Sequence, residues 1–172
     1  MTDLRPPPIS VLDKHLGTEF LPLYTATVRV NGGESRHGRA SGVARSDDGA
    51  LDVRLRMPEQ LGGPGGGTNP EQLFAAGFAA CFHGALSLLA ARANVAIPDS
   101  EVIAKVTFGR DPVDGLFALT ADIRIRLPGV DRAIAEELVR NTERICPYAK
   151  MARTGIDCVV DTDDIRPVTE RP

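Results

Sequence analysis

The feature that most constrains the fold is a long apolar helix, which the sequence predicts from about Thr68 to Asn94. Thr68 or Asn69 can cap its first turn, and Pro70 suits the first helical position. Glu71 favours the positive end of the helix dipole. Apolar residues cover most of the circumference, so we expect the helix to be buried. Its many alanines and glycines allow another element to approach its backbone closely.

The segments on either side of this helix alternate apolar and polar residues, which is typical of β-strands. Strands are predicted before the helix over 23–30 and 51–55, with a short strand or two between them. The helix is followed by a predicted hairpin with strands over 102–108 and 117–127. A second helix is predicted from about Asp131 to Ile145, with one face formed by Ile134, Leu138, Asn141 and Ile145. A last strand is predicted from Ile156 to Val160. This order predicts an α+β fold.

The 172 residues, 42% of them apolar and 25% charged, are typical of one soluble globular domain. We expect an N-terminal extension over 1–21, a folded domain over 22–165 and a C-terminal tail over 166–172. The loop over 62–67, Gly-Gly-Pro-Gly-Gly-Gly, lacks the lysine of a phosphate-binding loop. It is therefore interpreted as a flexible turn or a close backbone approach.

The charge and the distribution of apolar residues argue against nucleic acid and membranes as partners. The formal charge is −3 and no basic stripe carries interleaved aromatic residues, so nucleic acid is not an expected partner. No segment reaches the roughly 18 consecutive apolar residues of a membrane span, so no membrane partner is expected. The first residues contain no apolar signal core, and we therefore expect a cytoplasmic protein.

Two cysteines stand in distinctive contexts, Cys81 inside the apolar helix and Cys146 before Pro147 and Tyr148. No zinc-like or thioredoxin-like spacing connects them, so they suggest a thiol pair that the fold assembles. The cytoplasm keeps thiols reduced, and a disulfide there is more often transient and catalytic than structural. The third cysteine, Cys158, is interpreted as structural, because cysteine is among the most buried residue types.

The residues alone leave two interpretations of Cys81. A thiol in an apolar helix has a raised pKa, so an inert buried cysteine is the commoner case. A nucleophilic Cys81 needs a nearby cation, because only the thiolate attacks. Phe74, Phe78 and Cys81 share one stripe of the helix, which fits either plain core or an apolar pocket wall beside a reactive sulfur.

Cys146 is expected at a helix C-terminus, where the partial negative charge disfavours a thiolate. If the two cysteines cooperate, Cys81 should attack and Cys146 should resolve; otherwise Cys146 is a half-buried cap residue. Glu71 is either a helix-start carboxylate or the partner of an arginine beside the thiol. Histidines lack partners at ligand spacing, so we predict no metal, and no cofactor is expected.

The longer motifs resemble a known family. The run Gly62-Gly-Pro-Gly-Gly-Gly-Thr-Asn-Pro-Glu-Gln-Leu-Phe-Ala-Ala-Gly-Phe-Ala-Ala-Cys81-Phe resembles the signature of the organic hydroperoxide resistance (Ohr) proteins of the OsmC/Ohr superfamily. Cys146-Pro-Tyr-Ala-Lys150 is similar to the second signature, and Tyr24-Thr-Ala-Thr-Val28 to the opening strand. The resemblance covers about residues 22–163.

The resemblance implies a cysteine-based, lipoyl-dependent peroxidase of organic hydroperoxides. The family's peroxidatic cysteine falls on Cys81, its resolving cysteine on Cys146 and its glutamate on Glu71. The family's arginine falls on Arg39 in Gly38-Arg39, with Arg36 as the alternative because this segment is longer than the usual pattern. A dithiol such as a lipoylated protein would reduce the Cys81–Cys146 disulfide.

The resemblance also implies the quaternary structure and the pocket. The family fold is an intertwined homodimer in which curved antiparallel sheets pack around central helices. Phe74 and Phe78 would offer apolar contact to a fatty or aromatic hydroperoxide. Two other classes stay open at this stage: a redox-sensing or lipid-binding module without turnover, and a structural dimer-forming protein with inert thiols.

Overall fold

The computed structural model describes residues 12–34 and 40–162. Within these ranges the chain forms two antiparallel sheets, three α-helices and a short 3₁₀ helix, Glu59–Leu61, which confirms the α+β class. The strands and α-helices in chain order are β1 (Val28–Asn31), β2 (Val43–Ser46), β3 (Asp52–Arg54), α1 (Pro70–Arg92), β4 (Glu101–Arg110), β5 (Phe117–Arg126), α2 (Arg132–Ile145) and α3 (Pro147–Thr154).

The first sheet has the order β1-β2-β3, with Val30 opposite Ala44 and Ala44 opposite Val53. The strands lie where the alternation predicted them, but β1 begins at Val28, so residues 23–27 are not part of it. The sheet is tied to the start of α1, because the Arg56 N–H donates to the Thr68 carbonyl at 2.7 Å. The N–H of Thr68 in turn donates to the Arg54 carbonyl at 3.0 Å.

The glycine-rich loop over 62–67 lets two parts of the backbone approach closely. A Cβ at Gly63 would lie 2.2 Å from the Met57 carbonyl oxygen. A Cβ at Gly67 would lie 2.5 Å from Cγ of Arg56 and 2.9 Å from the Arg54 carbonyl oxygen. Both distances are shorter than van der Waals contact, so of the two interpretations of this loop the close approach is confirmed.

Helix α1 begins as the sequence predicts. The side chain of Asn69 accepts a hydrogen bond from the Gln72 N–H at 2.9 Å, and Pro70 is the first helical residue. The buried residues follow one stripe at intervals of four: Phe78, Phe82, Leu86 and Ala90.

The expectation that α1 is buried on most of its circumference is wrong for the single chain. β4, α2 and α3 cover only one side of the helix, and Ala76, Ala80 and Ala91 on other faces are exposed. By length and hydropathy α1 could cross a membrane. Its packing against a strand and two helices identifies it instead as the core helix of this fold.

The predicted hairpin is confirmed. β4 and β5 pair in continuous register from Glu101 opposite Arg126 to Arg110 opposite Phe117. Their half-buried residues pack against the α1 stripe in two clusters and include Val102, Ile123 and Ile125. The second sheet therefore packs against one side of α1.

Helix α2 begins where the sequence predicts, but its buried face is rotated from the predicted one. The Asp131 carboxylate accepts hydrogen bonds from the backbone N–H groups of Ala133 and Ile134, at 2.9 and 3.2 Å. Leu138 and Thr142 are buried, whereas Ile134 and Ile145 are 44% and 42% exposed. The buried residues are thus Leu138 and Thr142, the i, i+4 pair that faces α1, although Ile134 and Ile145 are more apolar than Thr142.

The predicted last strand is not present in the described part of the chain. Residues 155–162 form no strand, and Val159 and Val160 are each 91% exposed. Cys158 is likewise exposed, so its interpretation as a buried structural cysteine is wrong for this chain alone. A strand needs a neighbour that accepts its hydrogen bonds, and no described segment of the same chain pairs with this one.

Candidate active site

Cys81 lies near the middle of α1, on the side of the helix that faces the core. It is half-buried and packs with Phe78, Phe82 and Ala149 in one apolar cluster. The helix therefore holds this thiol on a rigid element, with apolar neighbours and a partly open side.

Cys146 occupies the junction of two helices. Its N–H donates to the Thr142 carbonyl at 2.9 Å, which ends α2, and its carbonyl accepts from the Lys150 N–H at 3.0 Å, which begins α3. The side chain is fully buried. The position at the end of α2 was predicted from the following proline, but α3 was not.

Helix α3 corrects the electrostatic argument made from the sequence. Pro147 ends α2, yet it also occupies the first position of α3, for which a proline is well suited. Cys146 thus lies at the negative end of one helix and the positive end of another. The argument from the dipole of α2 alone is therefore incomplete for this position.

The fold brings together two thiols that are 65 residues apart in the sequence. The Cys146 S–H donates to the Cys81 sulfur across 3.5 Å, and both cysteines are reduced. A disulfide requires about 2.05 Å between the sulfurs. A small rotation of either side chain would therefore bring the two sulfurs to the distance of a disulfide.

The surroundings of Cys81 oppose its ionisation. Burial raises the pKa of the Cys81 thiol above its ordinary value, and the Cys146 side chain raises it further, through its hydrogen bond with Cys81 and then through the repulsion between two thiolates so close together. The backbone N–H of Tyr148 donates toward the Cys81 sulfur and lowers the pKa, but it does not reverse the shift. Among the described residues, none of these causes is a positive charge.

Three aromatic rings line the thiol pair. Phe74 and Phe78 meet edge to face with centroids 6.1 Å apart, and the Tyr148 ring lies 6.1 Å from Phe74 and 5.8 Å from Phe78. Phe78 is buried and the other two rings are half-buried. The sequence singled out both phenylalanines but not Tyr148, although this residue directly follows the Cys146-Pro147 pair.

Glu71 lies in the first turn of α1, on the helix stripe that continues through Phe74 and Phe78 to Cys81. Ten residues separate it from Cys81, or about 15 Å along the helix axis. It is half-buried and borders a shallow pocket with Phe108 and Phe117 at the end of the hairpin. Glu71 can therefore influence the thiol only through a group that reaches between them.

The predicted arginines lie outside the described residues, since the described ranges omit 35–39 and with them Arg36 and Arg39. Across residues 12–34 and 40–162, no three His, Cys, Asp or Glu side chains are grouped so that they could hold a metal ion. His83 is exposed and its Nε2 lies 3.1 Å from the Ser100 hydroxyl, on a different side of α1 from Cys81.

Fold and site together define a class of α+β proteins with a reduced thiol pair between a core helix and a helix junction. The family profile described as OsmC-like protein matches residues 63–161. The chain is 45% identical over 136 residues to an organic hydroperoxide resistance protein of Xanthomonas axonopodis pv. citri, across 78% of this chain and 91% of the relative. The protein belongs to the OsmC/Ohr family.

Solved structures agree with this assignment. The organic hydroperoxide resistance protein OhrB of Bacillus subtilis matches with a TM-score of 0.66 and 42% identity, over 79% of this chain and 96% of that one. An organic hydroperoxide resistance protein from Legionella pneumophila matches with a TM-score of 0.69 and 36% identity, over 80% and 95%. These matches confirm the fold class expected from the motifs.

Proposed function

We propose that this protein is a thiol peroxidase that reduces organic hydroperoxides to alcohols. The observation that carries the proposal is the reduced pair of Cys81 and Cys146, whose sulfurs lie 3.5 Å apart in an apolar cluster. The names of the relatives, organic hydroperoxide resistance proteins, supply the substrate class.

The proposed cycle has three balanced steps. The Cys81 thiolate attacks the terminal peroxide oxygen, the O–O bond breaks and an alcohol leaves, so that Cys81 becomes a sulfenic acid. The Cys146 thiol then attacks that sulfur, the S–O bond breaks and water leaves as the disulfide forms. A dithiol such as a lipoylated protein reduces the disulfide by exchange and is itself oxidised to a disulfide.

A cation near the sulfur would offset the raised pKa of the Cys81 thiol. We assign this role to Arg39, held by the Glu71 carboxylate, with Arg36 as the alternative in the same segment. The half-buried position of Glu71 on the Cys81 stripe supports the assignment, because a carboxylate there can orient an arginine by a bidentate pair.

Apolar surface near the thiols supports a bulky substrate. Phe74, Phe78 and Tyr148 present aromatic faces beside Cys81, and such faces contact fatty or aromatic groups better than hydrogen peroxide. We place the organic part of the hydroperoxide against Phe74 and Phe78.

The exposed side of α1 supports a homodimer. Ala76 and Ala80 leave the helix backbone accessible, and the β1 side chains Val28 and Val30 are 46% and 58% exposed. An apolar helix face and an apolar strand in one chain are best covered by the same elements of a second copy.

The test is steady-state removal of tert-butyl hydroperoxide and a fatty-acid hydroperoxide with dihydrolipoamide, glutathione or thioredoxin as reductant. We expect turnover that is fastest with dihydrolipoamide. Cys81→Ser should abolish it, whereas Cys146→Ser should consume about one equivalent of peroxide and leave a trappable sulfenic acid. Normal turnover in folded Cys81→Ser contradicts the proposal.

A non-turnover module is the second candidate, favoured by an apolar cleft of about 310 Å³ that includes Phe78, Phe82 and Ile125 and has Glu143 and Arg153 at its rim. Such a cleft could hold an acyl chain without any redox cycle. The same assay separates the two functions, because a binding module shows no more than one equivalent of peroxide consumed with any reductant.

A further inference from the structure

The Tyr148 ring rests directly on the backbone of α1 at Gly77, one helical turn before Cys81. A Cβ built at Gly77 would lie 2.9 Å from Oη of Tyr148, 3.3 Å from its Cζ and 3.4 Å from its Cε1. Ordinary carbon contacts are about 3.5–4.0 Å. The ring therefore occupies the space that any side chain at position 77 would need.

Two phenylalanines of α1 pack against the same ring. Phe74 lies 6.1 Å from it and Phe78 lies 5.8 Å from it, centroid to centroid, and both residues belong to α1. Gly77 thus forms the base of a seat whose walls are the two phenylalanines.

The position of this ring is coupled to the position of Cys146. Tyr148 is the second residue of α3 and Cys146 is its N-cap, so two peptide bonds connect the seated ring to the buried thiol. Pro147 between them restricts the backbone. If the Tyr148 backbone moves with a displaced ring, the start of α3 and the Cys146 sulfur move relative to Cys81.

We propose that Gly77 is a positioning residue for disulfide formation: by seating the Tyr148 ring, it holds the Cys146 sulfur within bonding reach of Cys81. This inference rests on the proposed function, in which Cys146 condenses with the Cys81 sulfenic acid and water leaves. Gly77 itself touches neither the substrate nor the reacting atoms.

The sequence offers a matched control on the same helix. Gly84 also lies within α1, but a Cβ there would meet no atom of the described chain within 4 Å. Replacing either glycine by alanine favours the helix similarly. Only Gly77→Ala creates a contact with Tyr148.

The decisive measurement needs no peroxide. Equilibration of the reduced protein in glutathione redox buffers gives the effective concentration of the Cys146 thiol toward Cys81, from the ratio of disulfide to dithiol protein. We expect Gly77→Ala to lower this concentration by about 10-fold or less, since the contacts call for a shift smaller than the 1 Å that can cost about 100-fold. Gly84→Ala should match the wild type when both proteins have the same mass in light scattering, because Gly84 lies on the exposed side of α1 with Ala80.

A double-mutant cycle with Tyr148→Ala isolates the contact. In the Tyr148→Ala background, Gly77→Ala should have no further effect, because the ring that it displaces is absent. A wild-type value for folded Gly77→Ala overturns the inference, as does an equal loss in Gly84→Ala or in the Tyr148→Ala background. If Gly77→Ala does not fold, an unchanged value in Tyr148→Ala alone overturns it.

The peroxide reaction is then followed separately. Under one equivalent of tert-butyl hydroperoxide, Gly77→Ala should accumulate the Cys81 sulfenic acid and form the disulfide slowly. An absence of peroxide turnover in the wild type would refute the proposed function, while the glutathione measurement would still decide the role of Gly77.

Discussion

Cys81 combines a position suited to attack with an environment that suppresses its thiolate. Burial and the neighbouring Cys146 thiol raise its pKa, and the single opposing contribution in the described residues is the Tyr148 backbone N–H. The thiolate fraction at neutral pH is then small, and it rises only as the pH increases through the raised pKa. A positive charge near the sulfur would increase this fraction, which is the role proposed for Arg39.

Arg39→Ala in a Cys146→Ser background should shift the pH profile of Cys81 alkylation to higher pH. Removal of an adjacent opposite charge changes a pKa by roughly 1–3 units, and loss of a cation raises a thiol pKa. The measurement is the alkylation rate of Cys81 as a function of pH. Arg36→Ala is the matched control and should leave the profile unchanged; the reverse result would assign the role to Arg36.

At the level of elements, the hydrogen bonds before α1 distinguish two residues that the sequence left equivalent. Asn69 is 7% exposed and its side chain accepts from the Gln72 N–H. Thr68 instead donates from Oγ1 to Oε1 of Gln72, at 2.9 Å and in an exposed position. Only Asn69 caps the backbone of α1.

Asn69→Ala should therefore lower the free energy of unfolding by about 1 kcal/mol, within a range of roughly 0.5–2 kcal/mol for lost caps. Thr68→Ala should cost less than about 0.5 kcal/mol, because it removes an exposed side-chain contact. Denaturant unfolding at equal protein concentrations measures both. Equal losses in the two variants would show that Thr68 contributes to the cap.

The elements differ in how far local sequence specifies them. The cap, the proline and the apolar run of α1 act within a few residues, and so does the alternation of β4 and β5. Helix α3 was missed because Pro147 is compatible both with the end of one helix and with the start of the next. The rotated face of α2 was missed because the position of α1 determines which of its residues are covered.

At the scale of the whole molecule, residues 12–34 and 40–162 leave apolar surface exposed. Ala76 and Ala80 on α1, the valines of β1 and the stretch 155–162 all face outward. Strand β1 lies at the edge of its sheet, and exposed edge strands are normally paired, covered or charged. We expect a second copy to cover these surfaces and to pair with residues 155–162.

We expect the protein to have twice the 18.4 kDa chain mass in light scattering after size-exclusion chromatography. Ala80→Arg should abolish the dimer or prevent folding, because it would bury a charge at a helix contact. Arg132→Glu, whose native side chain is 92% exposed at the start of α2, is the control and should stay dimeric. A wild-type protein that is monomeric at micromolar concentrations contradicts the expectation.

The sequence by itself determined the α+β class, the extent of α1, the β4–β5 hairpin and the family motifs around Cys81 and Cys146. These features depend on caps, turns and periodicity, which act over short stretches of chain. Only the tertiary structure decided that the two thiols lie 3.5 Å apart, that Cys146 joins two helices and that Tyr148 rests on Gly77. The Cys81–Cys146 and Gly77–Tyr148 contacts join residues more than 60 positions apart, and their geometry depends on how α1, α2 and α3 pack together.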